Sequence, residues 1–290
     1  MNKQVKFEDL GLIDYQKAWD YQGELMQGII DIKLKNRELP IENQDITPNF
    51  FLFVEHPHIY TLGKSGDESN MLINTEKLKQ INADFVKTNR GGDITYHGFG
   101  QIVGYPILDL ENFVTDIHLY MRNLEEVIIR TMADYGLHGD RSKGETGVWL
   151  DVGKPYARKI CAMGVKASRW VTMHGFAFNV NTDMKYFGYI IPCGIKGKQV
   201  TSLEQELGQK VNIEEVKDKI KTNLLAIEKT PGVEDLSTQA FTGDNGLTLI
   251  ELSAFGVVGS VTPVTNPTET IINNTISALA AGNSIVFSPH

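Results

Sequence analysis

Only two cysteines, Cys161 and Cys193, occur among the 290 residues. That number excludes a disulfide framework, and free thiols fit a reducing compartment. No uninterrupted apolar run approaches the roughly 20 residues that span a bilayer. The opening stretch, MNKQVKFEDLG, lacks the apolar core of a signal peptide, so the expected location is cytoplasmic, with no membrane association. An excess of basic charge is also missing. With 28 Lys and Arg against 36 Asp and Glu, the formal net charge is −8, which argues against a general binder of nucleic acid or membrane surfaces. HExxH, paired CxxC and GxSxG motifs are absent, leaving metal hydrolysis and serine-esterase chemistry without a basis, and no metal site is expected. HIYTLGKS (58–65) ends like a phosphate-binding P-loop, but His58 stands where the first glycine is needed. From Pro231 to His290 there is no lysine or arginine at all.

What is present is the composition of a globular protein, 41% hydrophobic and 22% charged. Ala18, Tyr21, Leu25, Ile29 and Ile32 recur at helical spacing and predict a helix over about 14–36. NFFLFVEHP (49–57) reads as a strand stopped by Pro57. A second helix is expected over about 116–135, with Thr115 or Asp116 as N-cap, and a third over about 213–227. DFVKTN, DITYHG, QIVGYPILDL and GVWLDVG read as strands, while RKICAMGVKAS and RWVTMHGFAFNVN are close enough to form a hairpin. Strands and helices mix without a regular βαβ alternation, which predicts an α+β (mixed α/β) fold.

Four stretches can carry chemistry. In RGGDITYHGFGQ (90–101), Gly91, Gly92, Gly98 and Gly100 let backbone amides approach a ligand, with Arg90 and His97 at either end; two glycine turns around a strand remain the plain alternative. The segments RKICAMGV and RWVTMHGFAFNV lie in a basic island, since Lys154, Arg158, Lys159, Lys166 and Arg169 meet no acidic residue between 152 and 182. Such an island either steers an acidic partner or is an ordinary solvated face. In GYIIPCGIKGK (188–198), Pro192 stiffens the chain before Cys193 and Gly194 frees it afterwards, presenting the thiol on a turn. Pro-Cys-Gly loops also occur without any role, and both readings are open on local grounds.

Taken in order and spacing, RGGDITYHGFGQ, RKICAMGV, RWVTMHGFAFNV and IIPCGI resemble the lipoate-pathway octanoyltransferases over about residues 5–226. The resemblance implies the fold of the biotin/lipoate protein ligases, a mixed sheet flanked by helices. It also implies a catalytic pair, Cys193 as nucleophile and Lys159 beside it, whose ammonium stabilises the thiolate. The implied octanoyl pocket uses Arg90, Gly91, Gly92, Asp93, Ile94, Thr95, Tyr96, His97, Ala162, Met163, Gly164, Gly175, Phe176 and Ala177. Small residues near the last positions suggest an open slot for a straight acyl chain. The implied donor is octanoyl-acyl carrier protein. The implied acceptors are lipoyl domains of 2-oxoacid dehydrogenase E2 subunits and the glycine cleavage H protein. No cofactor is implied, since the thioester donor is already activated. Cys161, among Ile160, Ala162 and Met163, reads as a packed thiol. Phe99 departs from the family, which usually has proline there, and is expected to loosen the pocket wall or intrude on it.

The alternatives are an ATP-dependent lipoate or biotin ligase, which has no need of Cys193, and an inactive module that binds acyl carrier protein or lipoyl domains. Residues 228–290 resemble an internal piece of a CoA-acylating aldehyde dehydrogenase. They are expected to form a truncated, not independently folded fragment appended to a catalytic domain of residues 1–227, with NSIVFSPH as a strand.

Overall fold

The computed structural model describes residues 2–192, 199–229, 239–243, 246–250, 257–262 and 284–289. The chain divides into two compact units, Met1–Ile129 with His138–Lys217, and Arg130–Leu137 with Asp218–His290.

In chain order, the larger unit begins with strand β1 (Val5–Leu12), helix α1 (Tyr15–Asn36), β2 (Asn49–Glu55), β3 (Ile59–Leu62), α2 (Thr75–Gln80) and β4 (Asp84–Lys87). Then come β5 (Ile94–His97), β6 (Gln101–Ile107), α3 (Ile117–Ala133), β7 (Asp140–Ser142), β8 (Glu145–Leu150), β9 (Arg158–Ser168) and β10 (Val171–Asn179). Short β11 (Gln199–Val200) and α4 (Leu203–Leu207) follow, and α5 (Ile213–Lys229) begins in the larger unit and continues from Asp218 in the smaller one. One sheet runs β1-β2-β6-β10-β9-β8-β7, with β11 also paired to β9, and a second runs β4-β3-β5. Pairing is parallel for β1–β2, β11–β9 and β3–β4 and antiparallel elsewhere in these two sheets. The mixed sheets flanked by helices are the architecture read from the sequence.

Helix α1 starts where Asp14 accepts the Lys17 N–H at 3.1 Å, and its last turn carries Lys33 and Lys35, favourable at a helix C-terminus. Its buried stripe is Tyr15, Ala18, Gln22, Met26, Ile29, Ile30 and Lys33. Tyr21, Leu25 and Ile32, expected in that stripe, lie at its half-buried margin. The difference has a cause. Gln22 and Lys33 are buried because each has a dedicated partner: Gln22 accepts the His174 N–H, and Lys33 pairs with Asp109. Hydrophobic periodicity passes over such residues. The helix packs on β6 and β10 through a core that includes Met26, Ile29, Leu52, Val54, Val103, Tyr105, Met173 and Ala177. Burial of each large aliphatic chain there contributes about 1.5–3 kcal/mol.

β9 and β10 form the expected hairpin. Arg169 and Trp170 both have positive φ, 51° and 64°, and Ser168 pairs with Val171, a two-residue turn of the type that matches strand twist. In α3, Asp116 accepts the N–H groups of His118 and Leu119 and so supplies the cap. The other edge of β9 decides where the site forms. β8 pairs with β9 only through Arg158, Lys159 and Cys161, with a register shift between Val148 and Trp149. Beyond Cys161 that edge is left to another segment, and the Gly91 N–H reaches it at Val165 O, 3.0 Å away.

In the smaller unit, Asn223 donates to Thr131 Oγ1 and to Asp134. Strands β12 (Gln239–Gly243) and β13 (Gly246–Ile250) pair antiparallel. Strand β14 (Val257–Thr262) pairs in parallel with β15 (Ser284–Pro289), the strand expected in NSIVFSPH.

Candidate active site

A cavity of about 480 Å³ lies along β9. It is lined by Lys159, Ala162, Met163 and Gly164 from β9, by Gly175, Phe176 and Ala177 from β10, and by Arg90 to Thr95 together with His97. The hairpin register sets Ala162 opposite Ala177, Met163 opposite Phe176, Gly164 opposite Gly175 and Val165 opposite His174. Val165 is six positions after Lys159, so the strand between them is about 20 Å long.

Thirteen of the fourteen expected pocket residues therefore meet in one space. Tyr96 does not. Its side chain alternates to the opposite face of β5, where it is fully buried against Tyr60, Phe187 and Ile190, and its hydroxyl bonds to His58 Nδ1 at 2.6 Å. The cavity also uses residues that the motifs do not mark, among them Tyr15 from α1, Tyr105, Met121 from α3, Thr146 and His174. Phe99 lies outside the lining. Its ring is 45% exposed and packs edge-on against His58, 4.9 Å between centroids, so it neither intrudes on the cavity nor forms its wall.

The glycines have a different reason from the one expected. A Cβ on Gly164 would lie 2.5 Å from Gly91 O, and one on Gly175 would lie 2.1 Å from Gly104 O. Their small size lets backbones come together rather than clearing a slot for a ligand. Arg90 secures the loop that results. Its Nη2 donates to Thr61 O, Thr61 Oγ1 and Asp93 O at 2.7–2.9 Å, and Nη1 donates to Gly91 O at 3.0 Å.

From Arg90 the hydrogen bonds continue in one direction. The Gln101 amide group donates to Tyr96 O and Asn179 Oδ1, so its Oε1 must accept from His97 Nδ1 at 2.8 Å. His97 Nε2 is then the acceptor for the Thr61 hydroxyl at 3.2 Å. Asn179 passes the chain on to Thr201 O, and the Thr201 N–H donates to Lys159 O. A rigid polar thread thus ties the Arg90 loop to the strand that carries Lys159.

Two imidazoles, His97 and His174, line the cavity, and a third, His56, packs edge-on against His97. His56 donates from Nδ1 to Ile13 O and accepts the Tyr105 hydroxyl at Nε2, both at 2.8 Å. Burial lowers its pKa to about 4. Burial, with His56 and Arg90 close by, takes His97 well below the ordinary range. His174 is lowered to about 3 by burial and by the charges of Arg90 and Lys166. His174 also has a φ of 59°, a conformation rare for a residue with a Cβ. Its Nε2 bonds to Asn89 Oδ1 at 2.7 Å, and its Nδ1 has no hydrogen-bond partner among the described residues. Burial raises the Tyr15 hydroxyl, stacked on His97, to about 12.

At the near end, Lys159 is 6% exposed. Its Nζ donates to Thr146 O at 3.0 Å and sits 4.7 Å over the Trp149 ring. Cys161, two residues on, is fully buried between Val148 and Phe178 in the sheet. Burial pushes its thiol well up, against the pull of the Lys159 charge, which is the state of a packed thiol rather than a nucleophile. Cys193 lies outside the described residues. Among the described residues no three His, Cys, Asp or Glu side chains gather to hold a metal ion.

The lipoyl protein ligase A/B catalytic domain matches residues 14–225. Proteins named octanoyltransferase from Flavobacterium psychrophilum and Christiangramia forsetii are 67% and 65% identical, each match covering 76% of this chain and 94% of the relative. The chain belongs to this family, on its octanoyltransferase branch. The name octanoyltransferase is that of an acyltransferase, as the motifs implied. Among solved structures, a bipartite lipoate protein ligase from Thermoplasma acidophilum shares the fold. It has a TM-score of 0.54 at 15% identity, covering 77% of this chain and 82% of that one. A partial match, to Rhodopseudomonas palustris propionaldehyde dehydrogenase, covers 26% of this chain and 17% of that chain at 67% identity, with a TM-score of 0.24. Among the described residues no helix is long and apolar enough to cross a membrane.

Proposed function

We propose that this octanoyltransferase takes its acyl group from octanoyl-acyl carrier protein, holds it as a thioester on Cys193, and passes it to the lysine of a lipoyl domain. The observation that carries the reading is the cavity along β9 whose lining joins Lys159 to the Arg90–Asp93 loop. With carbon–carbon bonds of ~1.5 Å, an extended eight-carbon chain is about 9 Å long and fits within the strand length available. The chain also returns beside this site soon after Cys193, because Gln199 pairs with Arg158 and Val200 with Lys159.

In the first step the Cys193 thiolate attacks the donor carbonyl. The new carbon–sulfur bond forms as the carrier's thiolate leaves, and that thiolate takes up a proton. In the second step the neutral ε-amine of the acceptor lysine attacks the acyl-enzyme. A carbon–nitrogen bond forms, the bond to Cys193 breaks, and the departing Cys193 thiolate takes up the amine's proton. Lys159, anchored by Thr146 O and Trp149, supplies fixed positive charge to the thiolate in both steps. The acceptors would be lipoyl domains of 2-oxoacid dehydrogenase E2 subunits and the glycine cleavage H protein, met in the cytoplasm. Residues 1–227 would form the catalytic domain. Residues 228–290, in which Lys229 is the one lysine or arginine, would be an appended fragment without a part in the reaction.

The test is transfer from octanoyl-carrier protein to an isolated lipoyl domain, followed by mass, with no nucleotide present. The expected product is one octanoyl amide per domain. Product formed only from free octanoate with ATP would instead establish the ligase reading.

A further inference from the structure

Glu125 of α3 is fully buried, and nothing in the acyl-transfer scheme uses it. Its Oε2 is held by Arg122 Nη1 at 2.5 Å and Arg141 Nε at 3.2 Å, the kind of partners a buried carboxylate requires. Oε1 accepts the Gly147 N–H at 2.9 Å. That N–H belongs to the same peptide unit as Thr146 C=O, the acceptor for Lys159 Nζ. We infer that Glu125 is a positioning residue for Lys159, acting through the Thr146–Gly147 peptide; the inference rests on Lys159 working in acyl transfer.

A peptide unit is planar, with its N–H and C=O pointing in opposite directions. Whatever fixes the N–H therefore aims the carbonyl. Here the carboxylate fixes the N–H, and the carbonyl aims at the ammonium. Charge on the carboxylate also polarises the peptide toward Lys159, so the two hydrogen bonds strengthen each other. Gly147 makes the arrangement possible. Its φ is 115°, and a Cβ there would stand 2.4 Å from Cys161 O, so a side chain would turn the peptide away. Lys159 has the Trp149 face as a second support, but a ring face sets distance rather than direction. Arg122 of α3 and Arg141 of β7 hold Oε2, leaving Oε1 to serve the turn.

Three variants separate this role from plain charge balance. Glu125→Gln keeps an acceptor at the same reach for Gly147 but removes the charge from the arginines. Glu125→Asp keeps the charge and retracts the acceptor by one methylene. Glu125→Ala removes both. The readout is trace acetylation of the full chain by N-acetoxysuccinimide, with modification of Lys159 measured against Lys33 and Lys217. Those two buried lysines are held by other carboxylates, Asp109 and Glu111 for the first and Asp9 and Glu214 for the second. Lys159 is expected to become about threefold or more reactive in Glu125→Asp and Glu125→Ala, by local release of the turn, and to stay near the wild-type level in Glu125→Gln. Lys33 and Lys217 should not change. In parallel, kcat for octanoyl transfer should fall about 10- to 100-fold in Asp and Ala with KM for the carrier protein unchanged. Protection of Lys159 that follows the charge instead, with Asp like wild type and Gln exposed, would overturn the inference. So would a rise in all three lysines together, which marks a loosened fold. Failure of octanoyl transfer by the wild type, with Lys159 still responding, would count against the proposed function and leave the positioning intact.

Discussion

Two buried imidazoles make a quantitative statement about acid. His56, with a pKa of about 4, and His174, at about 3, are neutral in the folded chain at pH 5. In the unfolded chain each titrates near 6.5. The unfolded state therefore binds up to about two more protons as the pH falls to 5. Stability falls below about pH 6.5, levelling only as the folded-state pKa values are reached. At ~1.4 kcal/mol per proton per pH unit, the slope approaches about 3 kcal/mol per unit, and the loss by pH 5 is about 4 kcal/mol. His97 and His58, both lowered by burial, act in the same direction. A domain has about 5–15 kcal/mol in total, so a large share of the stability is lost there. Glu8, Asp151 and Glu206 have pKa values pushed below the usual carboxylate range by their partners and titrate at lower pH, outside this window. Urea unfolding of the full chain at steps of pH gives the slope. Trp19, Trp149 and Trp170 all belong to the larger unit and report its unfolding by fluorescence. His174→Asn supplies an internal check, since asparagine tolerates a positive φ and carries no proton; its slope should be shallower by about 1.4 kcal/mol per pH unit. A wild-type slope of less than about 1.4 kcal/mol per pH unit in this window would refute the reasoning, because it would mean that one imidazole at most is held neutral.

Two further substitutions test the walls of the cavity. Gly164→Ala sets a methyl group 2.5 Å from Gly91 O, so the Arg90 loop must move off β9. The expected result is about 1–3 kcal/mol of lost stability by urea unfolding, together with slower transfer. Phe99→Pro should change the transfer rate by less than about threefold, since the ring lies outside the cavity against His58; a large gain in rate would show that Phe99 does obstruct the site.

The sequence carried the periodic elements well. The spacing of Ala18 and Ile29 located α1, and the strand composition on either side of Arg169 and Trp170 located the β9–β10 hairpin. It carried the cavity because the motif residues sit on consecutive positions of two paired strands and one loop. It did not carry what depends on alternation. Tyr96 lies between Thr95 and His97, and β-strand geometry turns it to the other face, which a motif read as a continuous run conceals. Gln22 and Lys33 are buried by long-range partners, Gln22 with His174 and Lys33 with Asp109 and Glu111, that no local pattern announces. Tyr15 and Thr146 enter the cavity from segments outside the four motifs, and His174, inside RWVTMHGFAFNV, was not among the expected pocket residues. The glycines at 164 and 175 were visible, but their reason, the approach of Gly91 and Gly104, exists only once the sheet has formed.

The central claim is that the acyl group rests on Cys193 and not on its buried rival. Intact mass after brief exposure to octanoyl-carrier protein tests it directly, with wild type, Cys193→Ala and Cys161→Ala side by side. The account predicts one octanoyl adduct on the wild type and on Cys161→Ala, and none on Cys193→Ala. An adduct that persists in Cys193→Ala and disappears in Cys161→Ala, or no adduct on any of the three, would contradict it.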